Sequence, residues 1–436
     1  MIPKSKILLF TLLISFVLTT LSLRTIPVKD QDNILLTFGS CNKYYGDEPD
    51  DIFYKIADMN PDAYIWLGDV AYVDEKIMPP IFGYAGEAKI KEKLDSAKNS
   101  PPYAHLRNTT EIIGVWDDHD YGLNNAGKNF EHKDLTQQLW LDFLDEPKNS
   151  PRRKQAGLYE AYYVGNSKRV KVILLDVRYH KEASSIFKPK GTDLLGNEQW
   201  EWLENELKEN TADYVVIGSG IQIIPDDRLV PEHWYAANRD RLFELIRNYK
   251  TSGVILISGD VHFAEILKYP CKEHVGYEIF EFTSSGLTHH VSTHVPFADK
   301  YMDVMVPKTW SSKKDRFLDL NFGVLKFSFG KERKVKFEAR SANSTVVLEK
   351  TLRQAELRFN KQYINPETQC AVNKNKYWRF LKNFGQSLIR LEWLAYGILL
   401  LVLLVTWLLV KIVKLPFKLL SRLLREPEKP EKLKKE

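Results

Sequence analysis

Apolar runs and polar breaks alternate along the first two-thirds of the chain in two different rhythms. Six short β-branched or aromatic runs read as strands: Ile34–Ser40, Ala63–Gly68, Glu111–Trp116, Val170–Asp176, Tyr214–Gly218 and Gly253–Ser258. Between them lie segments with apolar residues at helical spacing, Asp50–Met59, Leu135–Leu144, Asn197–Asn210 and Arg239–Lys250. In the third of these Trp200, Leu203 and Leu207 share one face, while Glu201, Glu204, Asn205 and Lys208 suit solvent. Strand–helix–strand alternation predicts a layered α/β architecture with a partly parallel sheet. After Gly276 the rhythm changes to consecutive strands, Tyr277–Ser284, Phe322–Phe329, Lys334–Ser341 and Val346–Thr351, with a hairpin turn at Gly330-Lys331-Glu332. No Pro-, Gly- or Ser-rich linker separates the two parts, so they read as one domain over residues 30–355, with the late strands added antiparallel.

Both ends follow a different pattern. Residues 1–24 carry a short cationic start and the uncharged run Ile7–Leu21, which reads as a signal peptide or an uncleaved signal anchor. Residues 391–413 contain Trp393–Val410 without a charge, a length that predicts a transmembrane helix. Residues 356–390 read as a juxtamembrane linker, and 414–436 as a basic cytoplasmic tail. This places the chain as a single-pass type I membrane protein of the secretory pathway, its 30–355 domain lumenal or extracellular, with membrane lipid as a partner through one span. The tail from Lys411 onward holds nine Lys or Arg and four Glu, a surplus that equals the net +5 of the whole chain. The remainder is neutral, and the basic balance gives no reason to expect a nucleic acid. The sequons at Asn108 and Asn343 are candidate glycosylation sites. Of three cysteines, Cys41 lies among the chemical residues below, so Cys271–Cys370 is the expected disulfide.

Four strand-like runs end in residues with chemistry: Ser40-Cys41, Gly68-Asp69 through Tyr72, Asp117-Asp118-His119-Asp120 and Asp260-Val261-His262. Hydrolysing a phosphate ester requires an activated water, positive charge on the phosphoryl oxygens and a proton for the leaving oxygen. Two metal ions supply the first two, provided that a carboxylate is shared between them. Asp69, after a glycine at a strand end, suits that shared position, and Tyr72 lies close enough to turn back to the same centre. Four consecutive ionisable residues where a strand leaves the core would be costly to bury unpaired, so metal or tight hydrogen bonding is expected at 117–120. Asn124 or Asn125 offers a neutral oxygen ligand nearby. Asp260 and His262, two residues apart in extended chain, point the same way.

Together the segments FGSC, WLGDVAY, WDDHDYG, LLDVRYH, SGDVH and FTSSGLTHH, in this order over about Ile34 to Leu352, resemble the PhoD-like family of metallophosphoesterases, a branch of the calcineurin-like and purple acid phosphatase superfamily. The resemblance implies a four-layer sandwich of two mixed β-sheets flanked by helices. It implies Fe³⁺ held by Cys41, Asp69, Tyr72 and His262, with Ca²⁺ held by Asp69, Asn124 and Asp260. A Zn²⁺ or Mn²⁺ pair is the alternative. His119 takes the place of the histidine beside the transferring phosphate, with Asp118 orienting it or binding metal. Arg178 is expected to hold a phosphate oxygen, or else to pair with Asp176 or Asp120, and His289 to line the pocket. Lys76 stands where some relatives use an arginine for phosphate.

The function expected is hydrolysis of phosphate monoesters by a metal-bound hydroxide. The alternatives are a phosphodiesterase on lipid- or glycan-linked phosphate, and an inactive receptor or adhesion ectodomain. The loops Met78–Pro102 and Pro225–Asn238 are the expected source of specificity.

Overall fold

The computed structural model describes residues 24–43, 51–78, 81–183, 192–228, 232–294, 309–365 and 400–412, with isolated positions at 302, 306, 367 and 368. The chain divides into two units, Met1–Lys376 and Tyr377–Glu436. In chain order the strands are β1 (Arg24–Ile26), β2 (Asn33–Gly39), β3 (Ala63–Leu67), β4 (Glu75–Met78), β5 (Ile81–Gly83), β6 (Glu111–Val115), β7 (Glu160–Val164) and β8 (Val170–Leu175). They continue with β9 (Tyr214–Ser219), β10 (Val254–Ser258), β11 (Ala264–Tyr269), β12 (Ile279–Ser284), β13 (Arg316–Phe317), β14 (Asn321–Ser328), β15 (Lys334–Ser341) and β16 (Val346–Arg353). The helices are α1 (Ile52–Asp58), α2 (Glu87–Asn99), α3 (Pro101–Thr109), α4 (Asp118–Tyr121), α5 (Lys133–Phe143), α6 (Gly196–Lys208), α7 (Ala236–Asn248), α8 (Lys272–Val275) and α9 (Val291–His294).

Two mixed sheets form the first unit. One runs β1-β7-β8-β9-β10-β12-β11-β13, the other β16-β15-β14-β2-β3-β6, and β4 with β5 makes a separate hairpin. Within each large sheet a parallel block carries the chemistry: β2, β3 and β6 in one, and β8, β9, β10 and β12 in the other.

Strand β3 shows how a period of two builds the layers. Tyr64 and Trp66 point to one face, where their rings meet Phe53 of α1, and Trp66 also meets Tyr103 of α3 and Phe143 of α5. Leu67 points to the other face, and its Cδ2 lies 3.0 Å from where a Cβ at Gly218 of β9 would stand. Between the sheets Phe282 of β12 stacks on Phe337 of β15 at 4.3 Å, and Tyr214 of β9 meets Phe327 of β14. Each such apolar ring contributes roughly 1.5–3 kcal/mol by its burial. On the far side of the eight-stranded sheet, α6 buries Trp200, Leu203 and Leu207, and Lys171 of β8 donates to the Glu206 carbonyl at 2.8 Å.

The expected strands and helices all occur, most of their boundaries within two or three residues. Helix α2 lies within the expected loop Met78–Pro102, and α3, which begins at its end, was not expected. Helix α2 is mostly charged and buries only Ile90, Leu94 and Ala97, a stripe too thin to stand out. Helix α3 opens on Pro101-Pro102, which end a pattern when met inside it but suit a first turn. The late strands β14–β16 pair antiparallel as expected, whereas β12 runs parallel to β10 and antiparallel to β11.

The expected membrane span is not found. No helix among the described residues is long and apolar enough to cross a membrane. The type I, extracytoplasmic placement and the membrane-lipid partner are withdrawn on that finding. Residues 1–23, 371–399 and 413–436 lie outside the described residues, and with them most of the expected leader, linker and tail. Arg24, the last residue assigned to the leader, begins β1 and pairs with Glu146. Asn108 on α3 and Asn343 in the β15–β16 turn are both exposed, which sugar attachment requires and does not by itself establish.

Candidate metal centre

Parallel strands end on a common edge, and here two sheets bring such edges together. Cys41 follows β2, Asp69 follows β3, Asp117 and Asp118 follow β6, and Asp260 and His262 follow β10. The turns that deliver them are strained. Cys41, Asp69, Asp260 and His262 all have positive φ, at 63°, 53°, 70° and 64°. Non-glycine residues rarely adopt this conformation, and such strain gathers at functional sites. Close approach also demands glycine at 68, where φ is +89° and a Cβ would stand 2.2 Å from the Cβ of Asp117.

Three groups of ligand atoms result, each within 4.8 Å: Cys41, Asp69 and His262; Asp69, Asp118 and His119; and Asp117, Asp118 and Asp260. Asp69 belongs to two of them, and so does Asp118. The Cys41 thiol lies 3.4 Å from Asp69 Oδ2 and 3.1 Å from Ser285 Oγ. The Tyr72 hydroxyl and His262 Nε2 are 2.9 Å apart. His289 borders this side, its ring centroid 4.2 Å from that of His262 and 5.3 Å from that of Tyr72.

The electrostatics are those of a site built for positive charge. Burial, reinforced by Asp69, raises the Cys41 thiol well above its ordinary value. Burial also raises Asp69, reinforced by Asp118 and Asp117 although His119 opposes it. Tyr72 is raised by burial together with Cys41 and Asp69, and Asp260 by burial together with Asp117 and Asp118. Asp117 is pushed up to about 7 by burial, against the pull of Arg178. Two carboxylate oxygens in the cluster, Asp117 Oδ2 and Asp118 Oδ1, are buried without a hydrogen-bond partner. Orphaned acceptors and mutually opposed acids are what a bound cation would satisfy. The donor set divides into thiol, phenol and imidazole on one side and carboxylates on the other, which fits a softer and a harder ion.

The remaining expected residues fall as follows. The backbone N–H of Asn124 donates to Asp74 at 3.1 Å, and that of Asn125 to Asp118 at 2.6 Å, so the loop carrying both closes on the acidic cluster. Asp120 is tied inward by Trp140 Nε1 at 2.8 Å, Val70 N and Asp117 N, closing a capping box at the start of α4. Arg178 is fully buried, its Nε 2.5 Å from Asp117 Oδ1, with Asp118 and Glu232 also paired to it. The expected pairing with Asp176 or Asp120 does not form, because the Asp176 carboxylate accepts from the Arg178 backbone at 2.8 Å. Lys76 is exposed on β4, in register with Phe82 of β5. Cys41 is a free, buried cysteine, while Cys271 is disulfide-bonded and Cys370 lies outside the described residues.

Two partners were missed in the sequence. Asp74, not Asp118, meets His119, both of its oxygens 3.0 Å from Nδ1. Burial opposes protonation of His119, but Asp118, Asp74 and Asp69 outweigh it and push the imidazole up to about 10. Glu232 bridges Arg178 and Lys181. Asp74 stands only two residues after Tyr72, a spacing that could have flagged it, whereas nothing local marks Glu232.

With this centre in view, the PhoD-like phosphatase family model matches residues 36–333. The chain belongs to that family. As a PhoD-like phosphatase it is a phosphoric ester hydrolase, and the family is metal-dependent. Among curated proteins no sequence matches. Of solved structures, one described as PhoD aligns over 84% of this chain and 79% of its own at 15% identity, with a TM-score of 0.55. That likeness concerns the fold. A Staphylococcus aureus protein assigned as a 5′-nucleotidase, in complex with alpha-ketoglutarate, covers 79% of this chain and 58% of its own at 11% identity and a TM-score of 0.35, too low to carry an argument.

Proposed function

We propose that this PhoD-like phosphatase hydrolyses phosphate monoesters at the strand-end centre, with Fe³⁺ and Ca²⁺ as its cations. Cys41, Tyr72 and His262 would hold the ferric ion, Asp260 and Asn124 the calcium ion, and Asp69 both. The pair, when bound, supplies Lewis acidity to the phosphoryl group and to the attacking water. The observation that carries this reading is the meeting of thiol, phenol, imidazole and carboxylates from four strand ends, with Cys41, Asp69, Asp260 and His262 held at positive φ.

The chain's own residues do the rest. Asp74 fixes His119 through Nδ1, which leaves Nε2 to hold the proton that the departing ester oxygen takes. Arg178 braces Asp117 and Asp118; its buried Nη2 lies 3.7 Å from Asp118 Oδ1 without a hydrogen bond and would give one to a phosphate oxygen. His289 walls the side nearest His262. Two sheets packed face to face, with helices outside, are in keeping with a four-layer sandwich, and a Cys271–Cys370 bridge would tie the end of the domain to α8.

Elemental analysis of the purified protein, with activity on a nitrophenyl monoester and its bis-ester, tests the proposal. The expected result is iron and calcium near one equivalent each and faster monoester cleavage. Cys41→Ser and Asp69→Asn should each lose activity about 100-fold or more. Tyr72→Phe should remove a visible tyrosinate-to-iron absorption. A metal-free protein that cleaves neither ester sinks the reading, and faster bis-ester cleavage turns it into a phosphodiesterase.

A further inference from the structure

We propose that Phe82 walls a subsite for a flat, apolar leaving group, so that esters carrying an aromatic ring beside the phosphate are the preferred substrates. The inference rests on the monoester reading above and adds the substrate class.

Phe82 lies on the β4–β5 hairpin, which hydrogen-bonds to neither large sheet. Its base is fastened by one side chain of α2. Lys93 Nζ donates to the carbonyls of Tyr72, Val73 and Asp74 at 2.8, 3.3 and 2.9 Å. The hairpin is therefore anchored to the segment that supplies the metal-side phenol and the carboxylate behind His119.

A half-buried phenylalanine normally rests on the core, because that is where its apolar area is removed from water. Among the described residues, Phe82 packs against neither hydrophobic cluster. Its ring instead stands edge-on to His119, centroids 5.6 Å apart at 66°. Tyr72 covers the imidazole at 4.2 Å and reaches the ligand side through its hydroxyl.

If His119 gives its proton to the ester oxygen, whatever hangs from that oxygen emerges beside Phe82. Rings in such walls offer offset and edge contacts at 4.5–7 Å to another flat group, beyond the gain from area alone. A short alkyl group would leave the Phe82 face wet.

Benzyl and propyl phosphate test this, because both leave as alkanols and differ in the ring. The wild-type protein should favour benzyl phosphate in kcat/KM. Phe82→Ala should lower the benzyl-to-propyl ratio of kcat/KM about 5- to 10-fold, and Phe82→Trp should keep it. Inhibition constants for benzylphosphonate and propylphosphonate should shift by the same ratio. Phe82→Leu, which retains apolar bulk without a ring, guards against a collapsed hairpin and should also lose the preference. Parallel falls for both esters, or a wild-type protein without preference, overturn the subsite while the phosphatase reading stands. A wild-type protein that cleaves neither ester overturns both.

Discussion

His119 Nδ1 stands 3.0 Å from both carboxylate oxygens of Asp74, a residue 45 positions earlier in the chain. If His119 is the proton donor proposed above, Asp74 leaves Nε2 for the ester, so its removal should be felt most where the leaving oxygen needs a proton. Asp74→Asn is expected to lower kcat about 10- to 100-fold on an alkyl phosphate and much less on a nitrophenyl phosphate, with KM little changed. Equal losses on both esters would mean that Asp74 only supports the fold.

Gly68→Ala should be among the most damaging small substitutions. The new methyl would meet Asp117 Cβ at 2.2 Å and Asp117 N at 2.5 Å, at a φ of +89° that alanine disfavours. Neither obstacle is a flexible side-chain end, so strain and overpacking together should cost about 3 kcal/mol or more. Denaturant titration would show a lower midpoint and activity would fall with it; an unchanged midpoint refutes the close approach.

Removal of bound cations should destabilise the fold. Burial and neighbouring acids raise Cys41, Asp69, Tyr72 and Asp260 together, and a cation supplies the missing countercharge. A metal held at 100-fold over its dissociation constant stabilises by about 2.7 kcal/mol. Calorimetry with and without a chelator should therefore show a fall in Tm, and Cys41→Ser should shrink that difference. A Tm indifferent to chelation would count against the centre.

Glu338 on β15 offers a pH test away from the site. Burial works to raise its carboxyl, but Lys326, Arg340 and Lys336 outweigh it and hold the group down at about 2. A depressed carboxyl stabilises the fold above its ordinary value near 4.5, and that stability drains away as pH falls toward 2. Glu338→Gln should be less stable than the wild type at pH 6, with the gap closing between about pH 4.5 and 2. A gap independent of pH would show that the four charges contribute nothing through ionisation.

Much of this was legible locally. The runs before Cys41, Asp69, Asp117 and Asp260 alternate or branch as strands do, and each ends in a residue too polar to bury without a purpose. The helix face of Trp200, Leu203 and Leu207 was equally plain. Helix α2 was not, since three apolar residues in a charged segment give a weak period, and β12 pairs in both senses because pairing direction is not encoded in a strand's own composition. The second unit went the other way: an uncharged run read as a span has no helix among the described residues that is long and apolar enough to cross a membrane.

The sequence by itself determined β2, β3, β6, β8, β9, β10, β12 and β14–β16 and the ionisable residues that end four of them, because these depend on neighbours within a few residues; β1, β4, β5, β7, β11 and β13, and the order of strands within each sheet, it did not. Only tertiary structure decided that Asp74 grips His119, that Glu232 joins Asp117 on Arg178, and that Phe82 rests on the His119 imidazole instead of the core. Those pairings cross from one element to another, and a contact between elements has no period for a one-dimensional pattern to carry.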